Sequence, residues 1–274
     1  MNKKNIRTIS IAAVCIITCL IIIMNSFLYS YFCKHRVYTE LSDRISEEIL
    51  LANIKIIQKT DKGESLTSYS TGFDGVIFKR TGNKYYALTA YHALGSLSNT
   101  RFITLAYNDQ THREYISAGG TYVGLEEYYK QFPIATVEYY DKQYDLAILS
   151  FESKSNFKTL DILDVAPKYG DKVVVISSPY GEKRNMITYG KITSRSPVKF
   201  NDKTGYDNDE HKMVKHSAYI NKGSSGSVVM NKDFQIVGIN LGGGTNLFGS
   251  FGYGIAMPSD KINDFIVKWN NSQQ

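Results

Sequence analysis

From Asn53 onward the chain is cut into short apolar runs separated by turn residues, and this spacing limits the possible folds more than any other feature. The runs cover residues 54–57, 76–78, 85–89, 103–107, 134–139, 146–151, 173–177, 187–193, 213–220, 228–230, 235–240 and 253–257. They are rich in β-branched and aromatic side chains, which fit a pleated surface better than a helix. Many short strands with frequent turns predict an all-β sandwich or barrel. Thr81-Gly82-Asn83 falls between two runs and reads as a tight hairpin, which sets the register of the strand leading to His92. A hydrophobic fraction of 43% in 274 residues is enough for a substantial core, so a disordered chain is excluded.

Two polar stretches, 108–132 and 195–212, interrupt the pattern. The second holds Asp202, Asp207, Asp209 and Glu210, but neither these nor Gly205 follow the spacing of a calcium loop. It reads as a solvated loop, and no metal or cofactor is expected. Residues 259–270 place Ile262, Phe265, Ile266 and Trp269 on one face behind Ser259 as N-cap, predicting a closing helix.

The N-terminus follows different rules. No residue from Thr8 to Cys33 carries a formal charge, and a bilayer core of roughly 30 Å needs about 20 apolar residues in a helix. A cleaved signal peptide would have an apolar region of about 7–15 residues ending at small side chains. Here the segment is longer and leaves through Phe27, Leu28, Tyr29, Tyr31 and Phe32, a cluster suited to a membrane interface. The expectation is a cytoplasmic N-terminus at 1–8, a transmembrane signal anchor at 9–31, a stalk at 32–52 and a globular domain at 53–274. Secretion after signal cleavage is the alternative. Lys3, Lys4 and Arg7 before the span place the domain outside the cytoplasm. In the stalk, Thr39 is a possible N-cap, with Leu41, Ile45 and Ile49 on one helical face. Those three N-terminal cations supply half of the net charge of +6, so no nucleic-acid partner is inferred. Cys15, Cys19 and Cys33 all lie in or beside the anchor, so the domain is built without an internal disulfide.

A serine hydroxyl is a poor nucleophile at neutral pH. Acyl transfer from it needs a base, a carboxylate to orient that base, and donors for the developing oxyanion. Gly223-Ser224-Ser225-Gly226-Ser227 lies between two apolar runs, where glycines let the backbone turn and gather N–H groups into a concavity. The same composition also suits a flexible linker, although apolar runs at both ends weigh against one. Of the five histidines, His35, His112, His211 and His216 stand among polar or charged neighbours, and His92 sits in the apolar frame Thr89-Ala90-Tyr91-His92-Ala93-Leu94. Asp145 opens Asp145-Leu146-Ala147-Ile148-Leu149. Taken singly, His92 reads as structural and Asp145 as a turn cap. Taken together, their order His, Asp, Ser differs from the two other main arrangements of this triad, and Ser227 stands where an α/β-hydrolase elbow needs glycine.

These motifs resemble the trypsin-fold serine proteases, and most closely the high-temperature-requirement (HtrA) or Deg type. The resemblance rests on Tyr86-Ala87-Leu88-Thr89-Ala90-Tyr91-His92, Asp145-Leu146-Ala147-Ile148-Leu149 and Ile220-Asn221-Lys222-Gly223-Ser224-Ser225-Gly226-Ser227. Gly170-Asp171-Lys172-Val173-Val174, Ile236-Val237-Gly238-Ile239-Asn240 and Gly254-Ile255-Ala256-Met257-Pro258 follow in the expected order. It implies two six-stranded-type antiparallel β-barrels, with Ser225 as nucleophile, His92 as general base and acid, and Asp145 as orienting carboxylate. The amides of Gly223 and Ser225 would form the oxyanion hole. Ser227 replaces the glycine usual in the HtrA type, and Ser224 replaces a common Asn or Asp. With the sequence reaching Gln274, the peptide-binding PDZ domain of many relatives is not expected here. No zymogen-type start lies in 53–75, and loop 195–212 is the expected switch if activation occurs.

In such a fold the residue six positions before the nucleophile, here Tyr219, lies at the base of the primary pocket, with Asn240, Gly243 and Gly254 along its walls. None is a carboxylate, so basic side chains would lack a counter-charge. Asn240 stands where glutamate-cleaving relatives carry histidine. The expectation is cleavage of protein or peptide substrates after small or medium uncharged residues such as Val, Ala, Ile or Leu. A catalytically silent binding protein of the same fold is the alternative, and the oligomeric state is left open.

Overall fold

The computed structural model describes residues 17–22, 24–25, 42–63, 67–179, 185–196, 198 and 212–273, and divides into units 1–46 and 47–274. In the first unit, residues 17–22, 24–25 and 42–44 are helical. The rest of the expected span, the Thr39 cap and most of loop 195–212 lie outside the described residues. Among the described residues no helix is long and apolar enough to cross a membrane.

The second unit begins its β structure with β1 (Asn53–Asp61), β2 (Thr67–Tyr69), β3 (Phe73–Thr81), β4 (Lys84–Ala90), β5 (Thr100–Leu105), β6 (Ile134–Asp141) and β7 (Leu146–Glu152). They form one antiparallel sheet in the order β2-β1-β3-β4-β7-β6-β5. A further ladder between β1 and β5, from Lys55–Leu105 to Thr60–Thr100, closes six of these strands into a barrel and leaves β2 as a flange on β1. Alternation along the strands turns Ile54, Ile56, Ile77, Tyr85, Leu149 and Phe151 inward to one core cluster. Each such side chain contributes about 1.5–3 kcal/mol by leaving water. β2 was not foreseen because Thr67-Ser68-Tyr69 has no apolar run. The Gly82-Asn83 hairpin joins Thr81 to Lys84, with Gly82 at φ 62°.

The second sheet contains β8 (Lys172–Ser177), β9 (Met186–Lys191), β10 (Val214–His216), β11 (Val228–Met230), β12 (Ile236–Thr245) and β13 (Phe251–Pro258), in the order β10-β13-β12-β11-β8-β9. It curls around Val173, Val175, Val229, Val237 and Ala256. The expectation of two like six-stranded barrels needs correction here. Among the described residues the edges of this sheet meet at two isolated bridges instead of a continuous ladder: Ile192–His216, flanked by Thr193 N–H to Lys215 O at 2.8 Å and Ser217 N–H to Lys191 O at 3.0 Å, and Val198–Met213. The physical reason is that β10 stops at His216, whereas the apolar pattern ran to residue 220; beyond it the backbone leaves the ladder to build the Ser225 loop.

Three α-helices are described in this unit: α1 (His112–Ser117), α2 (Leu125–Tyr129) and α3 (Ser259–Ser272). The first two lie within the polar stretch 108–132. Thr111 and Glu114 form a reciprocal capping box at α1, while Tyr128 and Tyr129 of α2 pack on Ile57, Ile103 and Leu105. Helix α3 follows the second sheet but leans on the first barrel: Phe265 contacts Tyr139 and Tyr144, and Trp269 contacts Phe78 and Tyr86. Its N-cap is Pro258, not the expected Ser259. The Ser259 hydroxyl instead donates to Val165 O at 2.7 Å, because it is buried against the segment before β8.

Candidate active site

The β4–β7 ladder pairs Ala90 with Leu146, so the residues just past the end of one strand and just before the start of the other must meet. Tyr91 N–H donates to Asp145 O at 3.0 Å, and His92 begins a single 3₁₀ turn, His92–Leu94. Asp145 adopts φ 51°, a left-handed conformation that aspartate tolerates better than most residues. That conformation aims both carboxylate oxygens at His92. Oδ1 accepts the His92 backbone N–H at 2.8 Å and Oδ2 lies 2.6 Å from Nδ1. With Nδ1–H directed to the carboxylate, Nε2 is left as an acceptor. Ser225 Oγ lies 2.8 Å from it.

Ser225 comes from the loop between β10 and β11, which is pressed against the first barrel. Asp74 N–H donates to Ser225 O at 2.9 Å. Gly226 sits at φ 82°, and a Cβ there would come to 2.1 Å from Asp74 O and 2.3 Å from Thr89 Oγ1. No side chain fits at 226 without pushing the nucleophile away from His92. Gly223 is also left-handed, at φ 92°. The Gly223 and Ser225 N–H groups donate to no acceptor among the described residues. Ser224, by contrast, is buried, and its hydroxyl accepts the Asn221 N–H at 3.2 Å.

Residues 73–239, which include His92, Asp145 and Ser225, match the family model described as a trypsin-like peptidase domain. The chain belongs to this family. Among curated proteins, it is similar to serine protease HTRA1 of Xenopus tropicalis, with 29% identity over 136 residues, 48% of this chain and 27% of that protein. Serine protease HTRA3 of Homo sapiens is 28% identical over 142 residues, 51% of this chain and 29% of that protein. A probable periplasmic serine endoprotease, DegP-like, of Rickettsia prowazekii is 28% identical over 129 residues, 47% of this chain and 25% of that protein. The chain therefore matches less than a third of the length of each of these relatives.

In this peptidase domain a cleft of about 680 Å³ opens beside Ser225, lined among others by Tyr219, Ile220, Gly223, Asn240, Gly243 and Phe251. Of the residues expected around the pocket, Gly254 is not on its wall. It pairs with Gly243 across the ladder and lies on the His216 ring, where a Cβ would come to 2.1 Å from Cε1. His216 itself overturns the reading of its polar neighbourhood, being 0% exposed. Burial drives its pKa down to about 4, and interactions with the Asn240 side chain and the Ala218 backbone oppose that shift. The missed signal was alternation: Val214 and His216 share the inward face of β10, while Lys215 between them points away. Ser227 was also missed as a clamp, since its buried hydroxyl donates to Ser224 O at 2.7 Å. A separate cavity of about 390 Å³ lies between β1, Thr71 and α1, and no triad residue lines it. Among the described residues no group of His, Cys, Asp or Glu is placed to hold a metal ion.

Proposed function

We propose that this chain is a serine endopeptidase that works through an acyl-enzyme on Ser225. The observation that carries the reading is the line from Asp145 Oδ2 to His92 Nδ1 at 2.6 Å and from His92 Nε2 to Ser225 Oγ at 2.8 Å. Beside it lie two backbone amides without an acceptor among the described residues. Ser225 Oγ attacks the scissile carbonyl carbon while its proton passes to His92 Nε2. Asp145 keeps the second ring nitrogen protonated and stabilises the imidazolium that forms. The Gly223 and Ser225 N–H groups receive the developing oxyanion, a contribution of about 3–4 kcal/mol per donor in such sites. His92 then protonates the leaving amine, and water repeats the sequence on the ester.

Substrate preference follows from the cleft. Tyr219 stacks edge-on against Phe251 at 5.3 Å between ring centroids and narrows the space. Asn240 is 0% exposed, with Nδ2 bonded to Ser224 O and Oδ1 to His216, so it presents no exposed donor to a substrate carboxylate. Lys222 is the one cation among the described lining residues, and it is exposed at the mouth, where water screens it. Uncharged residues of small or medium size are the best fit, and Leu247 and Phe248, exposed on the hairpin tip bordering the cleft, extend that apolar character outward. The uncharged stretch from Thr8 to Cys33, preceded by Lys3, Lys4 and Arg7, supports anchoring in a membrane with the peptidase domain outside the cytoplasm.

Profiling the full-length chain on a random peptide pool tests both parts. Cleavage of internal bonds after Val, Ala, Ile or Leu is expected, and it should vanish with Ser225→Ala. Predominant cleavage after Lys, Arg or Glu would refute the pocket reading; cleavage unaffected by Ser225→Ala would refute the mechanism. For topology, protease added to intact cells should digest the chain beyond Lys34, and protection until lysis would reverse the orientation.

A further inference from the structure

Three donors converge on the carbonyl oxygen of Ser224, the residue before the nucleophile. They are Ser227 Oγ at 2.7 Å, Asn240 Nδ2 at 2.8 Å and the Ser227 N–H at 3.2 Å. In a trans peptide the carbonyl and the following N–H point in opposite directions. The clamp on Ser224 O therefore also sets the direction of the Ser225 N–H, one of the two amides offered to the oxyanion.

The orientation of Asn240 is fixed by the same logic. Only its NH₂ group can donate to Ser224 O, so its Oδ1 must face the other way, where His216 Nε2 lies 3.2 Å off. That contact is a hydrogen bond only if Nε2 carries the proton. Burial keeps the ring neutral at physiological pH, which leaves one proton for the two nitrogens; Nδ1 meets no partner at hydrogen-bonding geometry among the described residues, so Asn240 Oδ1 selects the Nε2–H form. Gly254 backs the ring so closely that even a methyl group there would displace it. Both His216 and Asn240 are 0% exposed, so water does not compete for their bond.

We propose that His216 is a positioning residue for the oxyanion hole: by donating to Asn240 it holds the carboxamide that clamps the Ser224 carbonyl and so aims the Ser225 N–H at the developing negative charge. The inference rests on the endopeptidase reading above. Without this donor the Asn240 side chain is free to turn, and the amide direction loosens. Because the oxyanion exists only along the reaction path, the loss falls on kcat and not on KM. Deleting an oxyanion donor outright lowers kcat by about 10²–10³, so a misdirected one is expected to cost about tenfold to a hundredfold.

The test uses the full-length chain, a fluorogenic peptide that it cleaves, and the matching peptide aldehyde, whose adduct places an oxyanion in the hole. His216→Leu should lower kcat at least about tenfold with KM within about twofold, and weaken the aldehyde in parallel. His216→Gln, which restores a donor at similar reach, should recover most of both. Gly254→Ala keeps every polar group but pushes the ring, and should behave like His216→Leu. Should His216→Leu fail to fold, Gly254→Ala carries the same test, since it displaces the His216 ring and removes no donor or acceptor. Unchanged kcat and aldehyde affinity in a folded His216→Leu would overturn the proposal, as would a folded His216→Gln no better than His216→Leu. A wild-type chain that neither cleaves peptide nor takes the aldehyde overturns the endopeptidase reading, and this inference with it.

Discussion

The first barrel closes through a continuous β1–β5 ladder, and its β4–β7 pairing runs unbroken from Lys84–Glu152 to Ala90–Leu146. Among the described residues the second sheet meets edge to edge at two isolated bridges, and β12 is broken by irregularities at Asn240–Gly242 and Gly244–Thr245. Each supplies half of the candidate site. The closed barrel provides His92 and Asp145, whose relation is dictated by strand register and needs little else. The open sheet provides Ser225, the two amides and the cleft, all on irregular backbone held by side-chain hydrogen bonds. The difference teaches that base and carboxylate are placed by topology, while nucleophile geometry and specificity are placed by individual polar contacts.

Substitutions can break or sharpen that contrast. The largest effect is expected from Asp145→Asn, which keeps the shape of the turn but removes the charge that selects the His92 tautomer. A fall in kcat of about 10⁴ should appear with the urea midpoint nearly unchanged. Next is Phe265→Ala, which empties a fully buried site between α3 and the closed barrel. It should lower unfolding free energy by about 3–5 kcal/mol in urea titrations, with kcat preserved below the transition. A large kcat loss there would mean that the closed barrel is less independent than its register suggests.

The open sheet should show itself in pH dependence. Above its ordinary pKa of 6.5, His216 is neutral in both folded and unfolded chains, and its contribution to stability is fully present. As the pH falls below 6.5 the unfolded chain takes a proton that the folded chain refuses until about pH 4, so stability drops by up to about 3 kcal/mol across that window. His216→Gln should flatten this part of the pH profile of urea unfolding; an unchanged slope would assign it to other groups. The smallest effect belongs to the periphery of the closed barrel, where Thr111→Ala removes the α1 capping box. It should cost about 1 kcal/mol and leave cleavage kinetics untouched.

The same contrast explains what could be read from the sequence. Apolar alternation located nearly every strand of the first barrel, and the boundary residues His92 and Asp145 followed from where those runs end. β2 escaped because three residues of Thr, Ser and Tyr carry no periodic signal. The capping box at Thr111 and Glu114 was present in the sequence, yet the polarity of 108–132 hid two short helices whose tyrosines are packed inward. In the second sheet the run 213–220 suggested one long strand, although the backbone turns out of the ladder after His216. Composition around a residue also misled: Lys215 and Ser217 made His216 look exposed, while strand alternation buries it. The clamp of Ser227 and Asn240 on Ser224 O joins residues that are distant in sequence, and no local pattern announces it.

The central claim is that Ser225, and not its neighbour, is the nucleophile held by both halves of the domain. Reaction of the full-length chain with a fluorophosphonate probe, followed by mass mapping of the adduct, tests it most directly. Wild type should be labelled on Ser225, Ser225→Ala should take no label, and Ser224→Ala should still be labelled because the Ser224 hydroxyl is buried and committed to Asn221. Undiminished labelling of Ser225→Ala would contradict the account.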